Sequence, residues 1–443
     1  MSSIKAGFAR LDITPPLGVR LGGYYFERKA EGVLDPLYVN GLAFSDGEHT
    51  AVVLVCDLLG IYNDQAREWP RQIARELGLP EDAMFICHIH THTGPVICGV
   101  REPSDPQYDE WIYRRLKDAA VMAINDCKPI VSIHAAEGDC PGVAFCRRYK
   151  MKDGRYQTWA SYCDPDIVGY ASEADESLRL VRIAREGGDE LALVNFQLHP
   201  DTISGNLISA DWPGIVRDRI EAAKAGTKMV FLDGAEGQMS DCDEWHDSVP
   251  IRLGYEKTKL IGNKIADCVL GLYDTVQPVE GEGVRFGQEM PMCRTKWDPD
   301  NREAQRAEAE RLIDIHENGN EEEEIGPDWI CTPLIAEAYQ LRRLDLAQLK
   351  EVPMTVSAVS VGGLAFLGIP GEPFCEIGKS IRDNSPYAVT FVCCQTNGCE
   401  GYYPTAEAYD QGGYEPRNTR FPKGIGEILM DTADGVLQKL HQM

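Results

Sequence analysis

The densest concentration of reactive side chains in this 443-residue sequence is His88-Ile-His90-Thr-His92-Thr-Gly-Pro (88–95), which holds three of its nine histidines. The segment closes the apolar run MFICHIH (84–90), and the carboxyl end of a strand is where open α/β sheets place their ligand sites. Side chains alternate along an extended chain, so His88, His90 and His92 are expected to share one face before Thr-Gly-Pro turns the backbone away. A solitary buried histidine is usually a satisfied core residue, but three at a strand end point to metal ligation or proton transfer, because imidazole binds divalent ions and titrates close to working pH.

A second histidine of the same kind is His199 in NFQLHPDT (195–202), again past an apolar strand and directly before a proline. Two imidazoles make a partial zinc site, and a catalytic zinc usually takes about three protein ligands while leaving a place for water. The best carboxylate donor is Glu372 in LGIPGEPF (367–374), where a strand ends in Pro-Gly. On its own, an acid at that place would more commonly be a helix N-terminal residue facing the dipole. Two familiar metal patterns do not fit. The H-x-H-x-D-H pattern of metallo-β-lactamase-type enzymes needs Asp at 92 and His at 93, where this chain has His92 and Thr93. An amidohydrolase-type barrel wants its H-x-H near the N-terminus and further strand-end ligands that the remaining histidines scarcely supply. Thiolate ligation is not expected either, since none of the 15 cysteines forms a C-x-x-C pair, and Cys393, Cys394 and Cys399 lie beside an apolar run rather than at zinc-ribbon spacing.

The elements that must position these residues alternate between short β-branched runs and longer stretches of helical period. Strands are expected at 51–60, 84–90, 130–136, 190–198, 228–232, 354–360, 363–369 and 388–393. Helices are expected near 64–78, 107–126, 211–225, 254–272, 301–317, 334–349 and 424–440. This predicts an α/β fold of mixed sheets with flanking helices. The charged stretch ENGNEEEEIGPDW (317–329) reads as a solvated surface loop rather than a domain boundary, so a single catalytic domain over 1–443 is expected.

With these elements in place the sequence resembles the neutral ceramidase family. HTHTGP (90–95), His199 after a strand, Pro-Gly-Glu (370–372) and YYPTAEAYDQGGYE (402–415) stand in the family's order, and the likeness runs from AGFARLDITPP (6–16) to the tyrosine-rich segment. It implies a neutral-ceramidase-like catalytic domain whose zinc ligands are His90, His199, Glu372 and Tyr402, with His92 and Tyr414 lining the site. Cys146-Arg147-Arg148 lies where the family has Asn-Arg, so Arg147, with Arg148 in reserve, is expected to hold a substrate carbonyl or its oxyanion; a plain basic loop is the competing reading. Ser240 falls at the family's serine, but Gly237-Gln238-Met239-Ser240-Asp241-Cys242 replaces Gly-Asp-Val-Ser-Pro-Asn, so Ser240 is expected to orient a substrate or a water rather than attack. The family's C-terminal immunoglobulin-like domain has no room after the helix at 424.

The implied chemistry is hydrolysis of an amide, ester or lactone by a zinc-activated water, with His92 carrying the proton to the leaving group. Lys and Arg total 44 against 70 Asp and Glu, and a net charge of -26 opposes nucleic acid and anionic membrane surfaces. No signal-peptide h-region or membrane-length apolar stretch is present, so the chain is expected to be cytoplasmic, with reduced cysteines and no stable membrane association. A small soluble substrate is therefore expected in place of ceramide, no organic cofactor is called for, and homo-oligomerisation stays open. Two other readings stand beside this one: a zinc-dependent lyase or hydrolase acting on a sugar-like compound, and a non-catalytic metal-binding scaffold.

Overall fold

Apolar β-branched runs such as Ala51–Cys56 and Glu190–Phe196 lie in the interior, and their neighbours fix where each run ends. The computed structural model of the chain describes residues 4–62, 64–99, 104–246, 248, 250–251, 254–297, 299–343 and 350–443. In chain order the principal elements are β1 (Lys5–Asp12), β2 (Tyr38–Ser45), β3 (Thr50–Cys56), α1 (Gln65–Glu76), β4 (Met84–His88), α2 (Pro106–Asn125), β5 (Lys128–Asp139), β6 (Ser177–Arg185), β7 (Glu190–Phe196), α3 (Asp211–Ala223), β8 (Thr227–Asp233) and α4 (Tyr255–Leu272). They are followed by β9 (Gln277–Pro278), β10 (Val284–Glu289), α5 (Arg302–Asn318), α6 (Asp328–Arg343), β11 (Val356–Val361), β12 (Leu364–Gly368), α7 (Cys375–Asn384), β13 (Val389–Cys393) and α8 (Ile425–His441).

The larger sheet runs β8-β7-β6-β5-β1-β2-β3-β4, with β9 beside β5, and the smaller one runs β10-β11-β12-β13. Most neighbours are antiparallel, but β7 with β8, β3 with β4 and β12 with β13 are parallel. The larger sheet curls, because β8 at one edge also packs against β3 and β4 at the other, and β13 packs against β7 and β8. The carboxyl ends of β4, β7, β8, β12 and β13 consequently open onto one place. This is the α/β fold of mixed sheets with flanking helices that the residue patterns predict.

Helix α2 lies on β1 and β2 at a distance only glycine permits. A Cβ at Gly7 would fall 1.8 Å from the Ala123 carbonyl oxygen, and one at Gly41 would fall 2.8 Å from that of Ala119. The expected helix at 334–349 begins earlier and is α6, Asp328–Arg343; its last residues, 344–349, lie outside the described residues. The acidic stretch at 317–329 contains one helical turn, Glu321–Glu324, with no buried side chain. Among the described residues no helix is long and apolar enough to cross a membrane.

All fifteen cysteines are free thiols. Thiol titration in denaturant is therefore expected to count fifteen per chain with or without prior reduction; a count of thirteen or fewer before reduction would contradict the reduced state.

Candidate metal centre

Strand β4 ends at His88, and the next two residues change direction. His90 has a positive φ of 65°, a left-handed backbone rarely adopted outside glycine, with its N–H donating to the Leu58 carbonyl at 3.0 Å. That break corrects the expectation that His88, His90 and His92 share a face. His88 stays in the core with Nδ1 2.7 Å from the Gln395 carbonyl, and burial pushes its pKa down to about 4. His90 turns the other way: its Nδ1 lies 2.8 Å from the Leu59 carbonyl, so Nδ1 carries the proton and Nε2 presents its lone pair.

His199, past β7, is held in the same manner. Its Nδ1 faces the backbone carbonyls of Glu236 and Met239 at 3.0 and 2.9 Å and the Glu236 carboxylate at 2.9 Å, while Nε2 lies 3.3 Å from Glu372 Oε2. Burial pulls the His199 pKa down, but the Glu236 carboxylate overrides it and lifts the value to about 9. Glu236, on the turn after β8, has no counterpart among the residues singled out from the sequence. The only signal for it was an acid inside a glycine-rich turn at a strand end.

Glu372 and Tyr402 are brought side by side by a two-residue parallel pairing, Glu372–Pro373 with Tyr402–Tyr403. Gly371 makes this approach possible, since a Cβ there would lie 2.3 Å from the Gly401 carbonyl oxygen. Gln395 Nε2 donates to Glu372 Oε1 at 3.1 Å and turns Oε2 toward the imidazoles, 3.7 Å from His90 Nε2. Burial alone would raise the Glu372 carboxyl; His90 and His199 beside it hold it down at about 2. Tyr402 OH accepts from Arg147 Nη2 at 3.1 Å, and burial, reinforced by Glu372, raises its pKa well above the ordinary phenol value.

Arg147 is buried among several partners. Its Nε donates to Glu415 Oε1 at 2.8 Å, its Nη2 donates to the Gly237 carbonyl at 2.8 Å, and Nη1 stands 3.4 Å from His199 Nε2. Arg148 turns away, toward Gln411 Oε1 at 3.0 Å and the Gly412 carbonyl at 2.8 Å. Ser240 pairs with Phe145 across a short strand, and its Oγ accepts the Cys242 N–H at 3.2 Å. It is one residue from the Met239 carbonyl that faces His199.

His92 stands with the other two imidazoles, its ring centroid 5.1 Å from His90 and 5.9 Å from His199. Its Nδ1 is 3.4 Å from Asp201 Oδ2, and Asp201 in turn accepts from Tyr24 OH. Burial, with His90 and His199 beside it, pushes its pKa well below the usual imidazole range. A cavity of about 120 Å3 opens in front, lined by His90, His92, Glu372, Tyr402 and Tyr414 among others.

The donor set suits a divalent ion. His90, His199, Glu236 and Glu372 each offer a ligand atom within 4.8 Å of the others. Among the described residues Glu372 Oε2 is buried without a hydrogen-bond partner while both Nδ1 atoms are tied to backbone carbonyls, so two imidazole lone pairs and one carboxylate oxygen face a common point. Imidazole and oxygen donors in that mixture fit zinc and its first-row neighbours.

No family model matches the chain, and no curated protein matches it in sequence. Its structure is similar to neutral ceramidase from Pseudomonas aeruginosa, with a TM-score of 0.70 at 16% identity, over 99% of this chain and 75% of that one. It is equally similar to a ceramidase complexed with C2, with a TM-score of 0.71 at 16% identity, over 99% and 76% of the two chains. The chain therefore has a neutral-ceramidase-like fold.

Proposed function

We propose that this neutral-ceramidase-like fold carries a zinc-dependent hydrolase of small amides, esters or lactones, acting on C–N bonds in the first instance and built as one catalytic domain over 1–443. The observation that carries the reading is the convergence of His90 Nε2, His199 Nε2 and Glu372 Oε2, with Tyr402 paired to Glu372 through the backbone. These four residues would hold the ion, and Glu236 would fix the orientation of His199 from behind, as carboxylates commonly do for ligating histidines. A zinc ion there supplies Lewis acidity toward an acyl oxygen and toward water.

The remaining steps belong to the protein's own groups. His92, a neutral imidazole steadied by Asp201 at Nδ1, takes the proton of the attacking water and passes it to the leaving nitrogen or oxygen. Arg147 holds Tyr402 in its phenolate-ready position and brings a fixed positive charge to the side of the site where negative charge develops. Tyr414 forms part of the wall against which the substrate lies. Ser240 supports the turn that carries Glu236 and Met239, an orienting role exerted through His199. Fifteen free thiols favour a cytoplasmic setting.

Product analysis tests the reaction class. Incubation of the zinc-loaded chain with a panel of small amides and lactones is expected to release an amine with a carboxylate, or a hydroxy acid; an unsaturated product would establish a lyase instead, and no turnover across the panel would favour a scaffold.

Tyr402 can be tested as a ligand independently of turnover. At pH 7 the metal-free chain holds a proton on His199, whose pKa is about 9, and another on Tyr402. Both leave when these groups ligate, so affinity rises with pH, by about two decades per pH unit below the His199 value and about one above it. Calorimetric titration with zinc in buffers of different ionisation enthalpy is expected to show about two protons released, and about one in Tyr402→Phe. Equal release from both chains would exclude a phenolate ligand.

A further inference from the structure

The cavity in front of the metal centre is small, about 120 Å3, where pockets for drug-sized ligands run to ~300–1,000 Å3. One of its walls is a chain of hydrogen-bonding groups already joined to one another. Gln340 Nε2 donates to Asn418 Oδ1 at 3.0 Å, Asn418 Nδ2 donates to Tyr414 OH at 2.8 Å, and Tyr414 OH lies 2.9 Å from Tyr25 OH. The direction of this chain is set from behind. Arg420, which can only donate, faces Gln340 Oε1 at 3.5 Å and pairs with Glu400. Tyr339 stacks on Tyr25 with ring centroids 5.4 Å apart, and Tyr62 adds a further phenol to the lining.

A wall of neutral amides and phenols discriminates by desolvation. An alkyl chain pressed against it displaces water from the hydrogen-bonding capacity these groups keep beyond their bonds to one another, and returns nothing. A molecule bearing several hydroxyls replaces that water with hydrogen bonds. Among the described lining residues Glu372 is the one carboxylate, and lysine and arginine are absent.

We propose that the substrate is a multiply hydroxylated amide or lactone of monosaccharide size. The bond cleaved rests on the hydrolase reading above; recognition of the hydroxyls rests on the wall alone. In the reaction the oxygen of water bonds to the acyl carbon, the C–N or ring C–O bond breaks, and the leaving nitrogen or oxygen takes up a proton, with no oxidant or reductant required.

Binding of two lactam probes to the zinc-loaded full chain, with ring opening followed by mass, tests the recognition. Gluconolactam is expected to bind at least ~10-fold more tightly than the unsubstituted six-membered lactam, because a site built to hydrogen-bond hydroxyls rejects the analogue without them. In Asn418→Leu that ratio is expected to fall toward one. Should the variant fail to fold, the two probes on the unaltered chain still decide the matter. Equal affinities, tighter binding of the bare lactam, or no measurable binding of gluconolactam would overturn the proposal. The two readings fail separately. Selective lactam binding without hydrolysis of any amide or lactone removes the hydrolase and leaves the recognition, whereas equally fast hydrolysis of hydroxylated and bare amides does the reverse.

Discussion

Replacing both His90 and His199 with alanine is expected to take the purified protein from about one zinc per chain to almost none, and to lower any hydrolytic rate by roughly a thousand-fold or more. Two of the four proposed ligands go at once, and those that remain, Glu372 and Tyr402, are oxygen donors on adjacent backbones. Glu372 is also held near pKa 2 by the two histidines. Without them burial pushes the carboxyl back up, which makes it a poorer ligand. Glu236, fully buried, also loses its His199 partner, so the variant is expected to be less stable than the unaltered chain. Elemental analysis of both proteins, with melting curves to show that the variant is folded, gives the answer. A folded variant that keeps its full complement of metal would place the ion elsewhere and sink the hydrolase reading.

How much of this centre was legible beforehand differs by residue type. His90, His199 and Glu372 announced themselves because histidines and an acid at strand ends, beside proline and glycine, are costly there without a ligand. Tyr402 enters as a proposed ligand only through the family resemblance, since a tyrosine taken alone has many ordinary explanations. His88 misled because alternation holds only while the chain stays extended, and the left-handed backbone of His90 breaks it. Glu236, Asp201 and Glu415 escaped notice for another reason. Each matters through a partner brought close by tertiary structure: His199 is 37 residues from Glu236, and Arg147 is 268 from Glu415.

The same contrast holds for the fold. Uninterrupted runs such as those of β3, β4, β7 and β12 are strands as expected, and the long amphipathic helices lie within a few residues of their expected places except α6, which begins six residues before the expected start. Strand β6 (SLRLVRIAR) was missed because Arg179, Arg182 and Arg185 interrupt its apolar pattern. The structure accommodates them in pairs, Arg179 with Glu137, Arg182 with Glu190 and Arg185 with Asp126. Strands β1 and β2, which the sequence reading does not include, carry Gly7 and Gly41 in mid-strand, where glycine weakens an extended pattern but lets α2 come close. In each case a residue that looks wrong locally is explained by a neighbour distant in sequence.

That logic sets the second large effect, at Glu415. Its carboxylate is fully buried, 2.8 Å from Arg147 Nε, 3.5 Å from Arg148 Nε and 2.9 Å from Thr158 Oγ1. Glu415→Ala leaves two guanidiniums in the interior facing no counter-charge, and breaking a buried pair from one side costs about 3–5 kcal/mol. For a chain of this length that corresponds to a fall in melting temperature of roughly 3–5 °C. Glu415→Gln keeps an acceptor for Arg147 and is expected to lose less than half as much. The consequence should reach the metal, because Arg147 also donates to Tyr402 and loses its anchor when Glu415 is gone. Zinc affinity is thus expected to fall about ten-fold or more in Glu415→Ala, and less in Glu415→Gln. Calorimetric melting of the metal-free proteins isolates the stability effect, and competitive zinc titration isolates the affinity effect. A loss of stability with unchanged zinc affinity would confine Glu415 to folding and detach Arg147 from the centre.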